Sequence, residues 1–315
     1  MSSNTNAKAN FNILKLLDVQ YPIISAPMGN IAGGRLATAV SQAGGLGLIG
    51  GGYCDADWIA QQLDIADNQR FGIGFISWRL KDNRAVLDMV LERNPQAIML
   101  SFGDIAPFVK KIKIKGIPLI CQVQSVEQAM DCKNKGADII IAQGTEAGGH
   151  AAEQSTMSLV PAIVDAISPM PVIAAGGICD ARGVNAARAL GAQGVLMGTR
   201  FMASHESLAS DKAKALMLSA KACDTIRTRV FDYARGYDWP EPYTARVLQN
   251  LFTHTWHGQT HLKSLINAEQ QAVYLDACAR SDFDIAGLFI GEGVDLIQEI
   301  LPAATIVEQL AGSFY

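Results

Sequence analysis

From Tyr21 onward, short runs of apolar residues alternate with longer segments in which apolar residues recur every three or four positions. Continuous apolar runs suit strands buried on both faces, and the recurring period suits the helices that cover them. The runs are YPIISAPM (Tyr21 to Met28), LGLIGGG (Leu46 to Gly52), FGIGFIS (Phe71 to Ser77), AIMLSFG (Ala97 to Gly103), PLICQVQ (Pro118 to Gln124), DIIIAQG (Asp138 to Gly144), PVIAAGG (Pro171 to Gly177) and GVLMGTRF (Gly194 to Phe201). Between them, GRLATAVSQAGG, NRAVLDMVLERN, SVEQAMDCKNKG and ARGVNAARALG read as amphipathic helices, several closed by the glycine expected just past a helix C-terminus. Eight strand-helix units predict an α/β protein, a closed (β/α)8 TIM barrel. The competing doubly wound open sheet normally stops at about five or six strands.

The rhythm changes after Phe201. DKAKALMLSAKA has a helical pattern, DYARGYDWPEPY is turn-rich, and two more helical patterns run through Ala268 to Ala279 and Gly293 to Leu301. The expected division is therefore a barrel over residues 12–205 and a helical appendage over 206–315, with its last segment packing back on the barrel. Periodicity does not choose between an appendage that covers the barrel mouth and one that pads the outside.

Composition narrows the class. At 315 residues with 49% hydrophobic and 18% charged positions, the chain has a globular composition, and a net charge of −4 gives no footprint for nucleic acid or an anionic membrane. Its one basic run, KKIKIKG, reads as a solvated face and turn before a strand. The opening MSSNTNAKAN is polar and expected to be disordered, without the plan of a signal peptide, and no apolar run approaches the roughly 18 residues of a membrane span, so a cytoplasmic protein is expected. The six cysteines form no CxxC pair, and HTWHGQTH is interrupted by Gly258, so no metal site is expected.

In a barrel of this kind the working residues lie at the C-terminal ends of the strands. Those ends carry no lysine for a Schiff base and no carboxylate cluster for a catalytic metal; small residues and amides dominate. Such a lining suits a large flat cofactor held by backbone and amide hydrogen bonds. AAGGICDARG and MGTRF fall where barrels bind phosphate, after strands seven and eight, with N–H groups of Gly177, Ile178, Gly198 and Thr199 as candidate donors. Gly45, Gly47 and Gly50 fit G-x-G-x-x-G, but a helix precedes them and they run into a strand, the reverse of a dinucleotide fingerprint. At the end of strand six, AQGTEAGGH places His150 after two glycines that let backbone approach a planar ring, which makes His150 the candidate general acid or base. Glu146 is a candidate to orient it, with an exposed loop carboxylate as the plainer alternative.

Taken together, YPIISAPM, AGGLGLIGGG, AQGTEAGGH, PVIAAGGICD and GAQGVLMGTRF resemble the nitronate monooxygenase family, formerly 2-nitropropane dioxygenases, over about Tyr21 to Phe201. The resemblance implies an FMN-binding barrel in which Met28 and Gly74 border the flavin ring, Gln122, Gln143 and Gly148 contact it, and Gly177 with Met197, Gly198 and Thr199 hold the phosphate. It implies oxidation of an alkyl nitronate or nitroalkane by O2 to a carbonyl compound and nitrite, with His150 as base or substrate clamp. An NAD(P)H-dependent flavin reductase of a quinone or enoyl thioester is the alternative within that likeness, and a non-redox phosphate-binding barrel the alternative outside it. Two positions depart from the family pattern: Gly74, where many relatives have asparagine, and Ala152, where most have glycine. Gly291-Glu292-Gly293 matches weakly the family's glycine-rich loop that returns toward the flavin.

Overall fold

The computed structural model describes residues 13–314, so the polar opening segment and the outermost residues of the expected domain limits, 12 and 315, lie outside the described residues. Eight parallel strands close into a barrel: β1 (Ile23–Ser25), β2 (Leu46–Gly52), β3 (Gly72–Ile76), β4 (Ile98–Ser101), β5 (Leu119–Val123), β6 (Ile139–Gln143), β8 (Val172–Ala175) and β9 (Gly194–Met197), with β9 pairing back on β1. Each falls inside an expected run. The eighth is cut short: it ends at Met197, and Thr199–Met202 turns into a brief helix.

Alternation along the strands divides the core into two layers. Ile24, Leu46, Leu48, Met99, Ile120, Ile141, Ile173 and Leu196 form one cluster that fills the barrel, joined by Ile13 and Leu17 of the segment before β1. Ile23, Ile49, Ile73, Leu100, Val123, Ile140 and Val195 belong to the larger cluster shared with the surrounding helices. The glycines that imitate a dinucleotide fingerprint are packing residues: a Cβ on Gly47 would lie 1.9 Å from the carbonyl oxygen of Ala37, and one on Gly50 would lie 2.2 Å from that of Met28. Strand β2 therefore sits hard against the helix Gly34–Gln42 and the segment that follows β1 at Met28.

The chain after the barrel is not wholly helical. Helices form over Asp211–Ser219 and Ala268–Ala279 as the pattern predicts, but two strands also appear, β10 (Thr225–Thr228) and β11 (Thr244–Leu248). They join β7 (Gly149–Ala151), a short strand in the loop after β6, in an antiparallel sheet ordered β10-β11-β7. Sequences as short as TIRT and TARVL, interleaved with arginine, give too weak a period-2 signal to stand out. The helix expected over Gly293 to Leu301 is replaced by a 3-10 turn over Glu292–Leu296, with the backbone N–H groups of Gly291 and Glu292 bonded to Thr199 and Glu146. The last helix, Ala303–Ala311, packs against the barrel helices Gly34–Gln42 and Ala181–Ala189. Among the described residues no helix is long and apolar enough to cross a membrane.

Candidate active site

A cavity of about 630 Å³ opens at the C-terminal ends of the barrel strands. All ten residues expected for the site line it: Met28, Gly74, Gln122, Gln143, Gly148, His150, Gly177, Met197, Gly198 and Thr199. The segments after the barrel reach over the mouth, and Arg235, Tyr237, Trp239, Phe283, Phe289 and Gly291 complete the wall.

One side of the cavity is backbone. Gly176 and Gly177 have φ of +107° and +71°, a pair of left-handed residues that turns the chain sharply after β8 and that side chains would strain. Facing them, Gly198 has room: a Cβ there would meet only Ala26 and the Met28 sulfur at 3.6 Å. The hydroxyl oxygen of Thr199 accepts the Gly291 N–H at 2.9 Å, which draws the 290–293 loop over this end. That loop is wedged in place, since a Cβ on Gly293 would lie 2.6 Å from the sulfur of Cys179 and one on Gly148 would lie 2.6 Å from the carbonyl carbon of Ile290. Gly148 is thus needed for backbone approaching from the 290–291 loop, a different constraint from the planar ring expected of it. Cys179, the thiol on the cavity wall, is pushed up to about 12 by burial and stays protonated.

Deeper in the barrel the amides form a chain. Gln143 Oε1 accepts from Gln122 Nε2 at 3.0 Å and from Gln124 Nε2 at 2.7 Å. With its oxygen doubly occupied, Gln143 is left with its NH2 group as a donor, and Gln122 with its oxygen as an acceptor, both on the cavity wall. Gly74 lies directly under Pro27, where a Cβ would come within 2.3 Å of the ring, so this chain has no room for an asparagine at this position unless Pro27 moves.

The opposite side is made of side chains. His150 sits on β7, paired with Ala245 of β11, and its side chain is 8% exposed. Its Nε2 lies 2.9 Å from Oδ1 of Asp232, a fully buried carboxylate. A carboxylate oxygen accepts only, so Nε2 carries the hydrogen and Nδ1 is the basic nitrogen of the neutral ring. Burial lowers the imidazole pKa below its ordinary 6.5, outweighing the upward pull of Asp232. Trp239 stacks on the ring at 3.4 Å between centroids and 8° between planes, and its Nε1 donates to Tyr53 Oη at 2.9 Å.

Asp232 on the helix Val230–Ala234 and Arg235 at its C-terminal cap lie three residues apart, and Val230, Phe231 and Ala234 anchor the helix in a separate apolar cluster. Arg227 and Arg246, on β10 and β11, both donate to the carbonyl oxygen of Thr145, at 3.1 and 3.0 Å. They thereby tie the new sheet to the loop that carries His150. Glu146 does not orient His150: both its oxygens accept the Thr156 N–H and one also accepts the Thr156 hydroxyl, so it caps the next helix. Sequence reasoning missed Asp232, Arg235 and Trp239, and no local pattern marks them. Among the described residues no cluster of His, Cys, Asp and Glu is placed to hold a metal ion.

A parallel barrel whose candidate chemistry gathers at the C-terminal strand ends defines a TIM-barrel enzyme. The sequence profile of the nitronate monooxygenase family matches residues 11–70 and 68–312, and the chain belongs to that family of oxidoreductases. It is 35% identical over 272 residues to a probable nitronate monooxygenase of Staphylococcus saprophyticus, covering 71% of this chain and 76% of the relative. Among solved structures it is similar to FabK from Thermotoga maritima, with 31% identity, a TM-score of 0.83 and 96% and 95% of the two chains covered. It is also similar to the nitroalkane oxidase of Streptomyces ansochromogenes, with 25% identity, a TM-score of 0.80 and 96% and 97% covered.

Proposed function

We propose that this protein binds FMN in the cavity and oxidises alkyl nitronates, and neutral nitroalkanes as well, with O2 to a carbonyl compound and nitrite. The residues fit the cofactor. The amide donor of Gln143 and acceptor of Gln122 suit the hydrogen-bonding edge of a flavin ring, with Met28, Gly74 and Gly148 beside the ring. The N–H groups after Gly177 and Gly198, with Met197 and the Thr199 hydroxyl, suit its phosphate. When bound, the flavin supplies an electron acceptor that oxygen can reoxidise.

The observation that carries the reading is His150: a neutral imidazole in the cavity wall, its Nε2–H fixed by Asp232 and its Nδ1 without a hydrogen-bond partner among the described residues. For a neutral nitroalkane, Nδ1 takes the α-proton. An anionic nitronate has no such proton to lose, and the unprotonated Nδ1 has no hydrogen to give its oxygens, so that substrate does not draw on the base. Trp239, Phe102 and Phe289 keep bulk water from the ring.

The test is oxygen uptake and nitrite release from a nitronate by the FMN-loaded protein without pyridine nucleotide. Turnover under those conditions supports the reading. Anaerobic bleaching of the flavin by NADH or NADPH, with no reaction of nitronate, overturns it in favour of a flavin reductase; protein that takes up no FMN returns the question to a non-redox barrel.

A further inference from the structure

Three charged side chains line the cavity: Asp55, Glu146 and Arg235. The carboxylates are engaged elsewhere, Asp55 accepting the Trp58 N–H at a helix start and Glu146 capping the helix at Thr156. Arg235 is ion-paired with Asp232, but only along one edge. Its Nε donates to the carbonyl oxygen of Phe231 at 3.1 Å and its Nη2 to Asp232 Oδ1 at 2.9 Å, the same oxygen that His150 uses. The guanidinium carbon lies 4.8 Å from the ring centre of Phe289 and 5.4 Å from those of Tyr53 and Tyr237. With aromatic rings around the group and one edge bound to Asp232 and Phe231, only Nη1 lacks a hydrogen-bond partner among the described residues.

From this arrangement we infer that Arg235 is the receptor for the substrate's negative charge, binding a planar, delocalised oxyanion through Nη1 beside His150. The inference rests on the reading of the cavity as a nitronate site and assigns its substrate contacts. Arg235 takes the oxygens of the N–O group, and His150 is left to the α-carbon. The phosphate-type cradle at Gly177 and Gly198 is built from other elements, so the two anion sites do not compete. Sharing one carboxylate couples His150 and Arg235 chemically: Asp232 holds the imidazole tautomer and the guanidinium plane at once. Ring neighbours hold the guanidinium in place, Asp232 offsets part of its charge, and the free Nη1 presents its N–H groups in the guanidinium plane, a directed donor that a lysine ammonium does not reproduce.

Nitrate reproduces the planar monoanionic O–N–O group and is the probe. The protein, in excess FMN and in a buffer free of phosphate and sulfate, is titrated calorimetrically with nitrate and separately with chloride. Wild type is expected to prefer nitrate. Arg235→Met is expected to weaken nitrate by about 10- to 100-fold, the worth of one charge-assisted hydrogen bond. Arg235→Lys keeps a cation against Asp232 and is expected to lose the preference for nitrate over chloride while binding both; it decides the matter if the methionine variant does not fold. Wild-type nitrate affinity in a folded Arg235→Met, or an unchanged nitrate preference in Arg235→Lys, overturns the inference. Failure of FMN uptake is read separately from the visible spectrum and overturns the oxidation reading, while the nitrate titration still decides Arg235.

Discussion

The end of the cavity between β8 and β9 is built from barrel backbone, whereas the end around His150 is built from side chains delivered by the chain after the barrel. At the first, glycines with left-handed φ do the work, and the barrel residues that meet are near neighbours in sequence or on adjacent strands, with the 290–293 loop drawn over them by Thr199. At the second, the decisive contact joins residues 82 positions apart, and a small antiparallel sheet tied down by Arg227 and Arg246 holds it in register. A backbone cradle tolerates much change in the side chains near it. A carboxylate with two partners on one oxygen does not, because removing either partner leaves a buried charge less compensated.

The sharpest way to separate the two ends is His150→Asn. The substitution leaves the glycine end untouched, so FMN uptake is expected to persist while turnover of neutral nitroalkane falls by about 10²- to 10⁴-fold and that of nitronate falls far less. Steady-state rates on both substrates check this, and equal losses would remove the general-base role. The same variant tests the titration. Because burial depresses the folded pKa of His150 below 6.5, the unfolded chain takes up a proton first as pH falls. Stability from this group is thus fully present above about 6.5 and is lost as pH drops toward the folded value; thermal midpoints measured from pH 7.5 downward should fall less steeply in His150→Asn than in wild type.

Gly148→Ala strikes where the two ends meet. Its new Cβ would press on Ile290 and Gly291 backbone at 2.6 and 2.7 Å, and overpacking of this kind costs about 1–3 kcal/mol. A lowered thermal midpoint with weakened FMN binding is expected, whereas Gly198→Ala, with only 3.6 Å contacts to meet, should keep wild-type stability. Equal midpoints for the two variants would show that the 290–293 loop gives way freely.

The smallest effect belongs to Thr199→Val. It removes the acceptor of the Gly291 N–H and the hydroxyl beside the cradle, and a net hydrogen bond of about 0.5–1.5 kcal/mol predicts FMN affinity weakened by about 3- to 10-fold. Flavin fluorescence titration measures it. A loss as large as that of Gly148→Ala would mean that the loop, rather than the cradle, governs cofactor retention.

What the sequence by itself determined is the barrel, its eight strands, and the small residues, amides and lone histidine at their ends. These were legible because each depends on a local period or on a residue type at a strand end, and the closed sheet then brings those ends together whatever the intervening loops do. The tertiary structure alone decided what His150 is. Nothing around AGGH names Asp232, Arg235 or Trp239 as its partners, and the nearby Glu146, a plausible choice by proximity in sequence, is bound to Thr156 instead. Strands β10 and β11 were hidden for the same reason: four- and five-residue segments carry little periodic signal, and their pairing with β7 exists only once the barrel has fixed where the loop after β6 emerges. Side-chain electrostatics at this site depends on contacts across distant stretches of chain, and such contacts leave no mark in a single sequence.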